Sequence, residues 1–300
     1  MTGVILINKP KDFTSFDVIA KMRGILRMKR LGHSGTLDPM ATGVLPVFVG
    51  NATKAVSILP VKGKSYRAEF RLGLTTDTYD ITGTVKEEKP FDVSEEKLLS
   101  ALENFRGEIT QLPPMYSAVK VGGRKLYDLA RKGIEVERPT RQVTISSLTL
   151  EGFDPQKGEG TLSISCSEGT YIRSIIHDMG QLLGCGAVMT SLVRTSANGF
   201  TLDRCITLDE LQKLRDEDKL ESAVTPIEEL FLDYPKIVLN EKQSALYKNG
   251  VKQELSQFPV NDTDDLYRVY YYNSSFVGIG RADRQDNILR VHKNLGGDSA

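Results

Sequence analysis

The pattern of predicted secondary structure changes once along this chain of 300 residues, near residue 232. Before that point, segments with the two-residue apolar repeat of strands are mixed with segments that have the helical repeat. After it, short strand-like segments dominate, with one small helix. Strands and helices mixed in this way are typical of an α+β (mixed α/β) domain. We therefore expect a first domain over 1–232 and a small β-rich domain over 233–300.

Local signals place several elements in the first domain. Two capping boxes, Thr207 with Glu210 and Thr225 with Glu228, predict two helix starts. Pattern and turn residues predict helices at 15–26, 94–105 and 170–183, strands at 4–8, 44–49, 65–72, 116–121, 142–150 and 161–166, and a loop at 32–43.

Composition narrows the classes of function. The formal net charge is zero, but residues 1–74 carry 12 Lys/Arg against 4 Asp/Glu, whereas 203–233 carry 4 against 10. A basic region of this kind suits contact with phosphates, although such an excess is also common on a solvated face. The three cysteines and three histidines are scattered, which argues against a disulfide framework or a zinc site. No apolar run is long enough to span a bilayer.

The segment 32–46 (G-H-S-G-T-L-D-P-M-A-T-G-V-L-P) is the strongest candidate for a functional loop. Loops shaped by glycine and proline hold polar groups in fixed positions on a rigid scaffold. Asp38 could be such a group, or it could only cap a turn before Pro39. His33, Ser34 and Asp38 have the composition of a hydrolase triad, but the G-x-S-x-G elbow is absent.

Residues 33–46 resemble the signature of the TruB family of pseudouridine synthases. Further segments resemble that family in the same order: N-K-P at 8–10, K-S-Y-R at 64–67, T-T-D-T-Y-D at 75–80, P-M-Y-S-A-V-K at 114–120, G-T-Y-I-R at 169–173 and L-V-R at 192–194. The resemblance implies the pseudouridine synthase fold, with a central mixed, largely antiparallel sheet flanked by helices. The region from 233 onward resembles, more weakly, the small PUA RNA-binding domain.

The resemblance also implies an activity: isomerisation of uridine to pseudouridine in the T-loop of tRNA, at position 55, after the base is flipped out. By the motifs, Asp38 is the catalytic carboxylate, acting as a nucleophile at C1′ or as a base on the ribose. Arg173 is expected to pair with Asp38, and Tyr66 to stack on the flipped uracil and act on its C5 proton. No cofactor or metal is expected, because the reaction involves no redox change.

The resemblance places further residues at the substrate. Leu192 is expected to line the pocket, Tyr171 to lie near it, and His33 to support the flipped-out bases. Phosphate contacts are expected from basic clusters that include Lys9, Lys11, Arg27, Lys29, Arg30, Lys62, Lys64, Arg124, Lys125, Arg131 and Lys132.

The expected partner is the T-arm of tRNA. We expect a cytoplasmic monomer that uses no guide RNA and has no membrane contact. The alternative is an RNA-binding or tRNA-folding protein in which catalysis is secondary. A guide-RNA-dependent rRNA modifier would need protein partners, and a hydrolase built on His33, Ser34 and Asp38 would act without RNA.

Overall fold

The computed structural model describes residues 1–296. Its helices are α1 (Ser15–Leu26), α2 (Glu95–Leu102), α3 (Leu126–Ala130), α4 (Ile172–Leu182), α5 (Leu208–Asp216) and α6 (Glu241–Lys248). Its strands are β1 (Gly3–Lys9), β2 (Leu31–His33), β3 (Thr42–Val49), β4 (Lys64–Leu72), β5 (Leu74–Thr76), β6 (Val85–Glu88), β7 (Gly107–Gln111), β8 (Lys120–Val121), β9 (Arg124–Lys125), β10 (Arg141–Asp154), β11 (Glu159–Cys166), β12 (Ala187–Ala197), β13 (Phe200–Thr201), β14 (Lys236–Val238), β15 (Gln253–Glu254), β16 (Leu266–Tyr270), β17 (Phe276–Asp283) and β18 (Ile288–Asn294). Short 3-10 helices cover Gly50–Ile58, Glu103–Phe105, Leu202–Arg204, Leu220–Ala223, Ile227–Phe231 and Leu255–Gln257.

A nine-stranded sheet forms the centre of the molecule, with the order β1-β3-β12-β4-β11-β10-β7 and with β2 and β13 added beside β3 and β12. The β3–β12 pair is parallel, and the other neighbours along this order are antiparallel. The prediction of a mixed, largely antiparallel sheet is therefore confirmed. The parallel pair brings the start of β3, and with it the loop that precedes β3, against the middle of β12.

Helices cover this sheet in two groups. Apolar side chains of α1 and α5, including Met22 and Leu211, pack on Ile5 and Val47 of β1 and β3. Side chains of α2 and α4 pack on β4, β10 and β11 in a second cluster, which also contains Leu37, Met40 and Ala41 of the loop before β3. The loop is therefore anchored in the core, while Thr36 and Asp38 remain at least partly exposed.

A five-stranded sheet with the order β14-β16-β17-β18-β15 follows. It docks on the first sheet, because Ile279 and Leu295 share a buried cluster with Val4, Phe48 and Phe231. The Asn51 side chain also donates a hydrogen bond of 2.7 Å to the Gly296 carbonyl. Within residues 1–296, no helix has the length and apolar character needed to cross a membrane.

Three predicted elements differ from the structure. The expected loop 32–43 begins inside β2 and ends inside β3. In the expected strand 116–121, only β8 is a strand, because the carbonyls of Ser117 and Val119 accept hydrogen bonds from the start of α3. The capping box at Thr207 forms, but the one at Thr225 does not, because the 3-10 helix there begins after Pro226.

Candidate active site

A buried arginine of the central sheet holds the loop between β2 and β3. Arg194 of β12 is fully buried; its Nε donates to the Val44 carbonyl at 2.7 Å, and both Nη atoms donate to the Gly35 carbonyl at 3.2 Å. Gly43 must be glycine here, because its φ is +102° and a Cβ would lie 2.2 Å from the Arg194 carbonyl oxygen. These contacts connect both ends of the loop to the central sheet.

Lys9 of β1 is a second buried cation that holds the β2–β3 loop. Its side chain is fully buried, and Nζ donates to the carbonyls of Pro10, Phe13 and Pro39 at 2.8, 2.5 and 3.2 Å. Burial lowers the pKa of Lys9 to about 8. The prediction that Lys9 contacts phosphate is therefore wrong for this structure, since its ammonium is used internally and does not reach the surface.

Asp38 lies at the exposed end of this loop, beside a buried guanidinium. Arg173 Nε is 3.0 Å from Asp38 Oδ2, with side-chain exposures of 5% for the arginine and 37% for the aspartate. Arg173 comes from the first turn of α4, and its remaining donors reach the carbonyls of Thr78 and Tyr116 at 2.8 and 2.9 Å. The guanidinium is thus fixed from several directions and presents one edge to Asp38.

A second carboxylate completes this network. Asp80 Oδ2 lies 3.4 Å from Arg173 Nη1, and its side chain is 6% exposed. Asp80 Oδ1 accepts hydrogen bonds from the Thr78 hydroxyl and from both the amide and the hydroxyl of Thr82. Sequence reasoning gave Asp80 no role, although the T-T-D-T-Y-D run contains it. Three hydrogen-bond donors hold Asp80, so it can orient Arg173 and, through it, Asp38.

The charge state of Asp38 is set by opposing effects. Burial raises the pKa of Asp38 above the ordinary value, and the nearby Asp80 raises it further. Arg173, and more weakly Lys9, lower it, but the net direction is upward. A carboxylate with a raised pKa is a stronger base than an ordinary aspartate, which suits either proton transfer or nucleophilic attack.

Tyr66 and Leu192 form an apolar wall in the cluster that also contains Leu37 of the β2–β3 loop. Both are 6% exposed. Tyr66 lies opposite Arg194 in the β4–β12 register, and burial raises the pKa of the Tyr66 hydroxyl. Since so little of the Tyr66 ring is accessible, a base that stacks on it has to displace neighbouring side chains.

Family comparison identifies what this arrangement belongs to. The model for the N-terminal domain of TruB family pseudouridylate synthases matches residues 23–172, and the model for the tRNA pseudouridylate synthase B C-terminal domain matches 173–232. The chain belongs to the TruB family. Together the two TruB models span the β2–β3 loop, β4 and α4, the elements that carry Asp38, Tyr66 and Arg173.

TruB relatives cover most of the chain. The tRNA pseudouridine synthase B of Clostridium tetani is 42% identical over 95% of this chain and 97% of its own length. That of Levilactobacillus brevis is 46% identical over 84% of this chain and 85% of its own.

Solved structures agree with this assignment. An H/ACA RNP bound to a substrate RNA containing 2′-deoxyuridine has a chain that is 26% identical, with a TM-score of 0.72, covering 99% of this chain and 86% of that one. A Cbf5–Nop10–Gar1 complex has a chain that is 28% identical, with the same TM-score of 0.72, covering 98% and 84%. The pseudouridine synthase fold predicted for this TruB chain is confirmed.

Two further predicted substrate residues lie at the end of β2 and just before α4. His33 ends β2, is half-buried, and its Nδ1 has no hydrogen-bond partner within 1–296. Burial and Arg194 lower the pKa of His33, which favours the neutral imidazole. Tyr171 precedes α4; its backbone amide and carbonyl both bind the Gln111 side chain, and the Arg141 guanidinium lies 5.3 Å from its ring centre.

The hydrolase alternative does not fit this geometry. The Ser34 hydroxyl donates to the Asn198 side-chain oxygen, and Asp38 pairs with Arg173. Neither group serves His33 as a triad would require. Ser34 and Asp38 are therefore not parts of a Ser-His-Asp hydrolase site.

A separate basic surface lies on the β8–β9 hairpin and α3. It surrounds a cleft of about 570 Å³, and its basic side chains are Lys120, Arg124, Lys125, Arg131 and Lys132. The carbonyl of Tyr116, just before this hairpin, accepts the hydrogen bond from Arg173. The basic surface is thus connected through a short stretch of backbone to Arg173, the partner of Asp38.

Proposed function

We propose that this chain isomerises the uridine at position 55 in the T-loop of tRNA, with Asp38 as the catalytic carboxylate. The observation that carries the proposal is the pairing of a partly exposed Asp38 with a buried Arg173, which Asp80 and two backbone carbonyls also hold, beside the Tyr66–Leu192 wall. Relatives that share 41% to 46% identity carry the name tRNA pseudouridine synthase B, which supports tRNA as the substrate.

The chemistry exchanges the bond at C1′ and moves one proton within the base. The N1–C1′ glycosidic bond is cleaved, the uracil turns, and C5 bonds to C1′; C5 then loses its proton and N1 gains one. Ionised Asp38 can attack C1′ directly or remove a ribose proton, and both routes use the same position next to the ribose. Arg173 keeps the Asp38 carboxylate oriented through either route, and Tyr66 supplies the aromatic face for the base.

The remaining site residues are proposed to support the flipped-out base and its neighbours. Extruding a nucleotide from a folded loop costs a few kcal/mol. Stacking on Tyr66 returns about 1–3 kcal/mol of this. We propose that Leu192 closes the pocket around the uracil, while His33 and Tyr171 support the neighbouring nucleotides. The neutral form favoured for His33 suits contact with base faces.

The organisation of the chain leads to proposals about partners. We propose that residues 1–232 are the catalytic domain and that 233–300 form a PUA-like unit that adds RNA contacts. The substrate is then the T-arm, bound by a cytoplasmic monomer without a guide RNA. Deleting 233–300 is expected to raise the Kd for tRNA more than it slows the single-turnover rate; an unchanged Kd would contradict the RNA-binding role.

The function is tested by tritium release from unmodified tRNA labelled with [5-³H]uridine. Wild-type protein is expected to release tritium from one T-loop uridine and none from a tRNA in which that uridine is cytidine. Release mapped to another position would overturn the assignment of position 55. Tight tRNA binding without any release would instead support the alternative function as an RNA-folding protein, which the basic surface of β8, β9 and α3 could serve.

A further inference from the structure

A second cleft opens beside the β2–β3 loop, and its walls do not include Asp38. It measures about 420 Å³ and is lined by Ser34 and Gly35 of the loop, together with Lys62, Lys64, Arg141 and Glu168. Three cationic side chains around one opening indicate a site for an anion. Glu168 is the one carboxylate among its lining residues.

Lys64 is the central cation of this cleft. Its side chain is half-buried, and it has no hydrogen bond or ion pair within residues 1–296. The ammonium packs over Gly35, because a Cβ on that residue would lie 2.6 Å from Nζ. Burial and the positive charge of Arg194 lower the pKa of Lys64. A half-buried cation without an ion-pair partner has lost part of its hydration, and a bound anion would offset that cost.

Two further cations stand at the rim. Lys62 Nζ is 3.4 Å from Glu168 Oε1, but both side chains are at least half exposed (50% and 60%), so this ion pair is weak and readily exchanged. Arg141 Nη1 donates to the Gly169 carbonyl at 3.2 Å, which uses one of the five N–H donors of its guanidinium. Both side chains can therefore turn toward an incoming anion.

The floor of the cleft is rigid. Ser34 donates to the Asn198 side chain, whose Nδ2 in turn donates to the Val61 carbonyl at 3.0 Å. The Asn198 amide also donates to the Gly63 carbonyl at 3.2 Å. The β2–β3 loop and the turn that carries Lys62 are thus joined before any ligand binds, which reduces the entropy lost on binding.

We propose that this cleft binds one phosphodiester of the RNA strand that flanks the flipped uridine. The inference rests on the proposed function and deepens it. Lys64 and Tyr66 project from the same face of β4, two residues apart, so their Cβ atoms are separated by about 6.6 Å. A phosphate on Lys64 therefore belongs to the target nucleotide or to its immediate neighbour. Its binding releases Lys62 from Glu168.

Charge variants test the subsite through the salt dependence of binding. The Kd for unmodified tRNA is measured between low and moderate salt for wild type, Lys64→Gln, Lys64→Arg, Glu168→Gln and Lys97→Gln. Lys64→Gln is expected to weaken binding and to lower the slope of log K against log salt by about 0.7–0.9, the value for one phosphate contact. Lys64→Arg keeps the slope. Glu168→Gln is expected to strengthen binding, because it removes the competing carboxylate.

Lys97→Gln removes the same charge from an exposed position on α2 and is the matched control, expected to leave Kd and slope unchanged. A slope for Lys64→Gln equal to that of wild type would overturn the proposal. Weaker binding by Glu168→Gln would also overturn it.

Neutral methylphosphonates locate the phosphate. They are placed one at a time around the target uridine in a T-arm hairpin, and each is bound to wild type and to Lys64→Gln. One flanking position is expected to weaken binding by wild type but not by the variant. Equal losses for both proteins at every position would refute the subsite. If wild type shows no tritium release, the proposed function fails, whereas release together with equal losses rejects the subsite alone.

Discussion

At the scale of the residue, the proposed role of Asp38 predicts that the rate depends on pH. An ordinary aspartate has a pKa of about 3.9. Because burial raises its pKa in the folded protein, Asp38 becomes protonated at a higher pH than that. We expect the single-turnover rate at saturating tRNA to fall with decreasing pH through this raised pKa. The measurement is the rate as a function of pH for wild type and for His33→Gln, which removes the other loop group that can titrate in the acid range.

An acid limb that is the same in both proteins would exclude His33 as its source and agree with ionisation of Asp38. A rate that stays constant down to the ordinary aspartate pKa would contradict the raised value. If the acid limb is absent in His33→Gln, the ionisation belongs to His33.

Asp80 provides a second test at this scale. Asp80→Asn keeps the size of the side chain but removes the charge that faces Arg173. Loss of a charged hydrogen bond is worth about 1.5–3 kcal/mol, so we expect kcat to fall by about 10- to 100-fold with little change in the Kd for tRNA. Asp92→Asn, an exposed carboxylate on the segment before α2, is the control and should match wild type. A wild-type rate for Asp80→Asn would remove Asp80 from the positioning network.

The residue scale also shows what the sequence could and could not predict. The Asp38–Arg173 pair was expected from two motifs far apart in the chain, and the structure brings these residues together. Lys9 was misassigned, because sequence does not reveal that its ammonium turns inward to three carbonyls. The role of Arg194 in holding the loop depends on parallel pairing between β3 and β12, which local patterns do not encode.

At the scale of the element, an aromatic stack connects the Asp80 turn to α4. The rings of Tyr79 and His177 are 3.8 Å apart with an interplanar angle of 9°. His177 lies one helical turn after Arg173, and Tyr79 precedes Asp80 in a left-handed conformation with φ of 65°. The stack therefore holds the two elements that carry the partners of the Arg173–Asp80 ion pair.

We expect His177→Ala to lower kcat by about 2- to 10-fold, which corresponds to an aromatic pair energy of about 0.5–1.5 kcal/mol. His177→Phe, which preserves a flat ring, should restore most of the rate. The comparison uses single-turnover rates at saturating tRNA. Equal rates for the alanine and phenylalanine variants would show that the stack does not position Arg173.

Element boundaries were predictable where a local signal coincided with the first helical turn. The capping box at Thr207 forms because Leu208 begins α5 directly after it. At Thr225 the same sequence pattern does not form a capping box, because Pro226 shifts the helix start and Ile227 begins a 3-10 helix. Residues 116–119 resemble a strand in sequence, but they bond to the start of α3 instead.

At the scale of the whole molecule, the small sheet stabilises the large one. Ile279 is fully buried in the cluster shared with Val4 and Phe48. Ile279→Ala should cost about 2–5 kcal/mol of unfolding free energy. Val238→Ala, at a position that is 48% exposed, should cost under about 0.5 kcal/mol. Thermal or denaturant unfolding measures both; equal effects would contradict the docking of the two sheets.

The domain boundary near 232, expected where the repeat of apolar residues changes, stays a prediction. The sequence did not predict that Ile279 and Leu295 pack against β1 and β3, since contacts over more than two hundred residues leave no local pattern. The uneven charge along the chain pointed to RNA, but the placement of Lys64 beside the loop required the fold.

The central claim is that Asp38, oriented by Arg173, carries out the isomerisation. The most direct test is single-turnover tritium release from [5-³H]uridine tRNA by wild type and Asp38→Asn, with the Kd for tRNA measured on the same samples and Asp92→Asn as the control. We expect no release by Asp38→Asn with a Kd close to that of wild type, and normal release by the control. Release by Asp38→Asn at more than a few per cent of the wild-type rate would contradict the account.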